Sequence, residues 1–524
     1  MENVKESKNT RTSNVIRNVW VGLICQLLIV IFSFANRTIF IKMLGNNYLS
    51  INGLFSNILN MISFVELGFG TALIYMLYKP VADNDIKKTQ SIIKFYKKVY
   101  TIIGITMFTI GILIIPFMNL IIKESPEIKE NIYIIYILYL TNTCIGYFFA
   151  HKTAIINANQ QNYIVTIYNQ IGKLIQSLLQ IIFLIATKEY ILYLLIQLVM
   201  TITSNILISI KANKMYPYIK KNNVESITKE EKNTIISKVK SLVFYRISPA
   251  ILNGTDNLIM SRYIGLSYVG IYSNYYLITN YILLFLNQIT SAFETSIGNL
   301  NVKEKEQQKE NVFYKIIYIC FILYGMICVL LMASINDFIS IWLGEEYIFN
   351  SYIVFTIVLY LYINGLHFPS YSYRTTAALF DKAKIMPLLE VIINITTSII
   401  LAKYIGIAGV FLGTSISKVL TFFWSDPKLL YKYLFKSNNL KLYYKKYFYY
   451  LFITLITGGL MYKLSIIFPA YNYLTWFIRS CIMGILTILI FYIFTYKMSE
   501  CREIKYIVIK YIEKIKTKLV RKSN

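Results

Sequence analysis

Three basic residues stand in the middle of long apolar stretches of the sequence. They are Lys173 in QIGKLIQSLLQ, Arg246 in SLVFYRISPAILNGTD and Lys418 in GTSISKVLTFF. A charge at the centre of a bilayer costs at least about 2.5–3.5 kcal/mol, so we expect these side chains to face protein or water. An ammonium group binds phosphate as a point charge and a guanidinium binds it as a planar fork. The three basic residues together predict a cationic cavity that binds an anionic ligand.

Two further arginines, Arg37 and Arg262, lie toward the ends of apolar stretches and are candidates for the same cavity. An internal ion pair, or a side chain that reaches out to the membrane interface, is the alternative for each of these basic residues. That alternative is stronger for the two arginines, because a position near the end of a stretch lets the charge reach water.

Acidic residues also occur in apolar surroundings: Glu66, Asp256, Glu294 and Glu390. A carboxylate buried in a cavity can bind a proton near neutral pH, so these residues are candidates for coupling to H⁺ or Na⁺. Glu66 stands in ISFVELGFGTALIYMLYKP, just before two glycines. A charge partner for a cavity arginine is an equally good interpretation of Glu66.

The composition explains why these charges are unusual. The chain has 524 residues, of which 56% are hydrophobic and 15% charged, and its mean hydropathy is +0.53. Soluble domains carry about a quarter charged residues, so the composition indicates an integral membrane protein. The net charge of +27 does not indicate nucleic acid as a partner, because the lysines and arginines fall mostly between the apolar segments.

The sequence carries no signature of an enzyme. A phosphate-binding G-x-x-x-x-G-K-[ST] loop is missing, which argues against ATP hydrolysis. The six cysteines form no C-x-x-C pair, and His151 and His367 have no partners at metal-ligand spacing. We expect His151 to be solvated at an inner helix end. We predict no catalytic residue, no metal and no cofactor beyond a coupling ion.

Apolar segments long enough to cross a bilayer dominate the chain. We predict an all-α integral membrane protein with about fourteen transmembrane helices, near residues 17–37, 48–78, 98–122, 131–151, 163–187, 190–211, 241–262, 268–298, 313–338, 350–372, 385–402, 407–425, 447–468 and 475–496. Basic residues concentrate in alternate loops, which predicts that both termini are cytoplasmic.

A weak internal repeat relates two parts of the chain. MLGNNYLSINGLFS from Met43 aligns with YIGLSYVGIYSNYY from Tyr263, so that Gly45 matches Gly265. The offset predicts two six-helix repeats in parallel orientation, with a binding site between them near the membrane midplane. We predict an N-terminal bundle at 1–215, a cytoplasmic linker at 216–240, a second bundle at 241–430, and two added helices with a basic cytoplasmic tail at 431–524.

Two segments also carry a family resemblance: RTIFIKMLGNNYLSINGLFSNILNMISFVELGFGTALIYMLYKPVADND, and DNLIMSRYIGLSYVGIYSNYY in the second half. The chain resembles the polysaccharide (Wzx-like) flippase branch of the MOP (multidrug/oligosaccharidyl-lipid/polysaccharide) exporter superfamily. The resemblance implies two bundles in a V around a central cavity that opens alternately to each side. It also implies a bacterial cytoplasmic membrane, ion-coupled transport and an undecaprenyl-pyrophosphate-linked oligosaccharide as cargo. No motif of the family assigns the individual basic residues.

The implied partners are the lipid-linked oligosaccharide, membrane lipids, and a polysaccharide polymerase and glycosyltransferases. Several functions remain open at this point. A lipid II flippase is a close variant of the oligosaccharide flippase. A multidrug exporter of the MATE type would favour acidic cavity residues and twelve helices. A non-transporting scaffold in a membrane polymerase complex would not need charges at the midplane.

Overall fold

The computed structural model of the protein describes residues 26, 28–66, 69–122, 126–220, 227–506, 509–510 and 513. Among these residues all the regular secondary structure is helical, and none of it is β-strand. It forms two compact units, Met1–Ser273 and Asn274–Asn524, and the division falls inside one long helix. The predicted bundles at 1–215 and 241–430 stay a prediction.

The first unit contains α1 to α10 and the start of α11. Their bounds are α1 28–44, α2 Asn46–Ile62, α3 Phe69–Ala82, α4 Ile86–Ile114, α5 Met118–Ile121, α6 Ile132–Ile145, α7 Ala150–Ala158, α8 Asn162–Thr187, α9 Tyr190–Met215, α10 Lys229–Ile259 and α11 Leu266–Lys303. Within this unit α8 pairs with α9, and α2 packs against α10.

The second unit contains the rest of α11 and α12 to α19. Their bounds are α12 Glu306–Leu343, α13 Ser351–Thr376, α14 Phe380–Ala383, α15 Met386–Ile405, α16 Ile407–Leu420, α17 Phe422–Leu429, α18 Leu440–Ile467 and α19 Tyr473–Thr495. A π-helical turn, Leu430–Phe435, follows α17. The long α12 packs against α13, α18 and α19, so it forms the centre of this unit.

Within the part of the chain that the structure describes, eleven helices are long and apolar enough to cross a membrane. The protein is therefore an all-α, multi-pass membrane protein, as its composition predicts. The count of fourteen helices stays a prediction. The window 17–37 lies partly outside the described residues, and the window 48–78 is not continuous, because the 3₁₀ turn Ser63–Glu66 separates α2 from α3.

The glycines that the repeat aligns have the same local role. Gly45 precedes α2 with φ +84°, and Gly265 precedes α11 with φ +154°. Residues with a side chain rarely adopt either backbone conformation, so glycine suits both turns. The Gly45 N–H donates to the carbonyl oxygen of Ile41, and the Gly265 N–H donates to that of Met260, both at 2.9 Å.

The helices α15 and α16 form a tight hairpin. A Cβ on Gly409 would lie 2.3 Å from the carbonyl oxygen of Leu401, and a Cβ on Gly413 would lie 2.5 Å from the backbone nitrogen of Ser398. Small residues four apart let two helix backbones approach closely, as they do in membrane helix pairs. The sequence GVFLG therefore sets the spacing of this hairpin.

The helix α10 begins with a capping box. Thr228 Oγ1 accepts a hydrogen bond from the Glu231 backbone N–H at 3.3 Å, and Glu231 Oε2 accepts one from the Thr228 N–H at 3.0 Å. The Glu231 carboxylate also pairs with Lys88 of α4. The hydrogen bond from Lys88, more than that from Thr228, lowers the pKa of Glu231. The start of α10 is thus tied to α4.

A polar cavity and buried charge pairs

A polar cavity of about 330 Å³ lies inside the first unit, among α1, α6, α8 and α9. Lys173 lines this cavity, and it is the only charged side chain among the described residues of the lining. The other lining residues are Ile29, Phe32, Ser33, Asn36, Asn142, Leu174, Gln176, Ser177, Gln180, Tyr193, Gln197 and Thr201. Most of them carry an amide or a hydroxyl group.

Helical spacing brings the polar side chains of α8 to the cavity. Lys173, Gln176, Ser177 and Gln180 follow one another at positions i, i+3, i+4 and i+7, which places them on one helix face. Lys173 was predicted from the sequence as a site residue, whereas the amides beside it were not. The signal was present as the polar stripe in KLIQSLLQ.

A hydrogen-bond network fixes several of these amides. Asn36 Nδ2 donates to Gln180 Oε1 at 3.2 Å and to the Tyr193 hydroxyl at 3.4 Å. Gln180 Nε2 donates to the backbone oxygen of Tyr193 at 3.1 Å, and Gln176 Nε2 donates to Gln180 Oε1 at 3.4 Å. Asn142 Oδ1 is buried and accepts no hydrogen bond within the described structure. The cavity therefore combines a fixed polar wall with unused acceptor capacity.

The predicted arginines lie in different surroundings. Arg37 in α1 is half-buried, and its Nη1 donates to Ser273 Oγ at 2.8 Å. Arg262 is exposed in the π-helical turn Met260–Ile264. Arg246 lies in α10, and its side chain is outside those that the structure describes. Of the two arginines whose side chains the structure describes, neither Arg37 nor Arg262 lines the cavity around Lys173.

Lys418 lies in the second unit and has an acidic partner. Its Nζ is 3.4 Å from Glu390 Oε1 across the α15–α16 hairpin. The same ammonium group lies 5.4 Å from the centre of the Phe422 ring. Lys418 was predicted as an anion ligand and Glu390 as an ion-coupling acid; the structure brings them together as an ion pair in which Glu390 is buried and Lys418 is half-buried. Both assigned roles stay predictions.

A second buried charge cluster was not predicted from the sequence. His367 Nε2 lies 2.9 Å from Asp426 Oδ2, and Arg374 Nε lies 3.2 Å from Asp426 Oδ1. The Arg374 guanidinium also lies 5.0 Å from the Phe422 ring centre, on which Lys418 packs as well. Asp426 is fully buried. This cluster joins α13 to α17. In the sequence, the only hint of it was the spacing of His367 and Arg374, seven residues apart and therefore on one face of a helix.

The remaining acidic candidates are dispersed. The Tyr100 hydroxyl donates to Glu66 Oε1 at 2.7 Å, so Glu66 is held at the break between α2 and α3. Ser372 Oγ donates to Glu294 Oε1 at 3.3 Å. Asp256 is half-buried in α10. The expectation of a solvated His151 was wrong, because that side chain is buried in α7.

The second unit contains a smaller cavity of about 170 Å³ with a different character. It lies among α12, α13 and α18, and its lining includes Phe355, Leu359, Leu455 and Gly458. This lining is almost entirely apolar and offers no charge. It does not suit a sugar or a phosphate, so the cavity around Lys173 is the better candidate for a polar ligand.

Neither a protein-family model nor a curated protein matches the sequence. Solved structures do match it. An inward-facing multidrug resistance MATE family transporter of the MOP superfamily aligns with a TM-score of 0.60 at 15% identity, over 79% of this chain and 99% of its own. The lipid II flippase MurJ, in an inward closed conformation, aligns with a TM-score of 0.60 at 18% identity, over 92% and 99%. A Vibrio cholerae MATE transporter gives 0.53 at 12% identity, over 82% and 100%.

These similarities establish the fold. The chain has the all-α fold of MOP superfamily transporters, as the sequence resemblance predicted. The identities are too low to carry a function from any of these proteins to this one. The assignment to the Wzx-like branch stays a prediction.

Proposed function

We propose that the protein is a flippase for undecaprenyl-pyrophosphate-linked oligosaccharides. It moves them from the inner to the outer leaflet of the bacterial cytoplasmic membrane for the synthesis of a capsule, exopolysaccharide or O-antigen-like polymer. The observation that carries the proposal is the polar cavity around Lys173, which lies inside a multi-pass membrane fold.

The lining of this cavity matches the chemistry of a sugar. Amide and hydroxyl side chains both donate and accept hydrogen bonds, as sugar hydroxyl groups do. Asn142 Oδ1 is free to accept one more hydrogen bond. Lys173 is exposed at this cavity and adds a positive charge that a phosphate oxygen can approach. The lipid tail would remain in the bilayer.

Transport is proposed to proceed by alternating access with coupling to H⁺ or Na⁺. Glu66, Asp256, Glu294 and Glu390 are the coupling candidates, and Arg37, Arg246, Arg262 and Lys418 remain candidates for contacts along the path of the cargo. A polysaccharide polymerase and glycosyltransferases are the proposed partners. Both termini are proposed to be cytoplasmic, because basic residues concentrate in alternate loops.

The alternatives differ in the cargo. A lipid II flippase would carry a pyrophosphate and sugars as well, so the same cavity is compatible with it. A MATE-type exporter of cationic drugs would favour an acidic lining, whereas the described residues around this cavity include no acid. A scaffold without transport activity would need no polar cavity within the membrane.

Flipping in liposomes tests the proposal. Purified protein is reconstituted, undecaprenyl-pyrophosphate oligosaccharide is supplied in one leaflet, and the appearance of sugar in the other is followed with and without an H⁺ or Na⁺ gradient. Lys173→Ala should slow flipping by about 10- to 100-fold, because a hydrogen bond to a charged group contributes about 1.5–3 kcal/mol. Lys214→Ala, which changes an exposed lysine of α9 outside the cavity, is the matched control.

Each result has a defined meaning. Equal flipping rates for Lys173→Ala and wild type would support flippase activity but would show that the phosphate binds outside this cavity. Competition by lipid II better than by the oligosaccharide would favour the lipid II alternative. An inactive wild type, with this cargo and an imposed gradient, would reject the flippase and favour export of drug cations.

A further inference from the structure

The outer face of α17 carries exposed residues that change character along the helix. Leu420, just before the helix, is 58% exposed and Trp424 is 47% exposed. Lys428 follows Trp424 by four residues, on the same helix face, and is exposed. Lys432 is exposed in the π-helical turn that follows. Apolar, then aromatic, then basic residues follow one another in this way where a helix leaves the hydrocarbon region at the membrane interface.

A third lysine comes to this surface from another element. Lys382 of α14 has its Nζ 5.5 Å from the centre of the Tyr433 ring, and Lys432 has its Nζ 5.1 Å from the same centre. The ring quadrupole attracts both ammonium groups toward the same tyrosine. Asp381 is the acidic residue next to Lys382 in the chain, and it is exposed. The surface keeps a local excess of positive charge.

We propose that Lys382, Lys428, Lys432, Tyr433 and Trp424 form a binding site for the anionic headgroup of a phospholipid. The lysines supply the charge, Tyr433 attracts two of them, and the Trp424 indole lies at the depth of the interface, where amphipathic rings are favoured. Near an anionic leaflet each lysine adds about 1 kcal/mol of attraction. This inference does not depend on the proposed transport activity.

Quenching of tryptophan fluorescence by brominated lipids tests the site. The full-length protein is placed in phosphatidylcholine bilayers that contain a minor fraction of brominated phosphatidylglycerol or, separately, brominated phosphatidylcholine. The contribution of Trp424 is the difference between wild type and Trp424→Phe. We expect stronger quenching of Trp424 by the brominated anionic lipid, and a loss of that preference at high salt, because salt screens exposed charges.

Single lysine substitutions locate the site. Lys428→Gln should reduce the preference for phosphatidylglycerol about fivefold, the ratio that corresponds to about 1 kcal/mol. Lys98→Gln removes an exposed lysine of α4 in the other unit and should leave the preference unchanged. Equal quenching of Trp424 by the two brominated lipids in wild type would overturn the proposal. So would a preference that Lys428→Gln and Lys98→Gln reduce to the same extent.

Discussion

The substitution Asp426→Asn removes a negative charge from the buried contact with His367 and Arg374 while it preserves the size of the side chain. In the native structure the Asp426 carboxylate is fully buried and lies 2.9 Å from the histidine ring nitrogen and 3.2 Å from Arg374 Nε. The guanidinium is buried too, and its Nη1 makes no hydrogen bond within the described structure. Without Asp426 the arginine would keep its charge and lose the carboxylate beside it.

The expected cost is large because the remaining charge stays buried. Removing one partner of a buried ion pair destabilises a protein by about 3–5 kcal/mol. A domain of about 150–250 residues loses roughly 2–4 °C of melting temperature per kcal/mol. The apparent melting temperature of Asp426→Asn should therefore fall by on the order of 10 °C. Adding Arg374→Met should recover much of this loss, because the uncompensated cation is then removed and the volume is kept.

Thermal unfolding of the purified protein in detergent, followed by tryptophan fluorescence, measures the effect. Glu345→Gln removes an exposed carboxylate of the same unit and serves as the control, with an expected change within about 0.5 kcal/mol. The reasoning fails if Asp426→Asn melts within about 1 °C of wild type. It also fails if Arg374→Met in the Asp426→Asn background lowers the stability further.

Two further predictions concern helix packing and pH. Gly409→Ala should destabilise the protein by about 1–3 kcal/mol or prevent its expression, because the new Cβ meets the backbone of Leu401 and no side chain can move aside; Gly459→Ala, at a position with open space, is the control in a melting assay. Glu231→Gln should reduce the free energy of unfolding by less than about 1 kcal/mol at neutral pH, which lowers the melting temperature slightly. The pKa of Glu231 is lowered by folding, so its contribution exists above the unfolded pKa and is lost as the pH falls through the folded pKa. Wild type and Glu231→Gln should therefore melt together at acid pH, and a gap that persists there would contradict this.

The sequence predicted the helical membrane fold because apolar length and composition are local properties. It also pointed to Lys173 and Lys418, since an isolated charge in an apolar stretch is visible without a structure; their assignment as ligands of an anion stays a prediction. The two glycines after Glu66 permit a bend there, but the prediction of one helix over 48–78 did not include the 3₁₀ turn Ser63–Glu66. At this turn the Tyr100 hydroxyl donates to Glu66, and this contact joins residues far apart in the chain, so it is not visible in the local sequence.

The partners of the charges required the structure for the same reason. Glu390 and Lys418 are 28 positions apart and meet only because the α15–α16 hairpin brings them together. Asp426 follows FFWS and precedes a proline, so it resembles a loop residue. In the structure it is helical and faces His367. Tertiary packing alone decides these contacts.

The pairing of Lys418 with Glu390 has a consequence for how the chain enters the membrane. Each residue alone would oppose the partition of its helix into lipid by about 2.5–3.5 kcal/mol or less, depending on its depth. The two helices are joined by Gly406 and packed through Gly409, so the ion pair can form as soon as both have been synthesised. Biogenesis of this region should therefore proceed by release of α15 and α16 together from the insertion machinery, as one hairpin in which Lys418 and Glu390 are already paired.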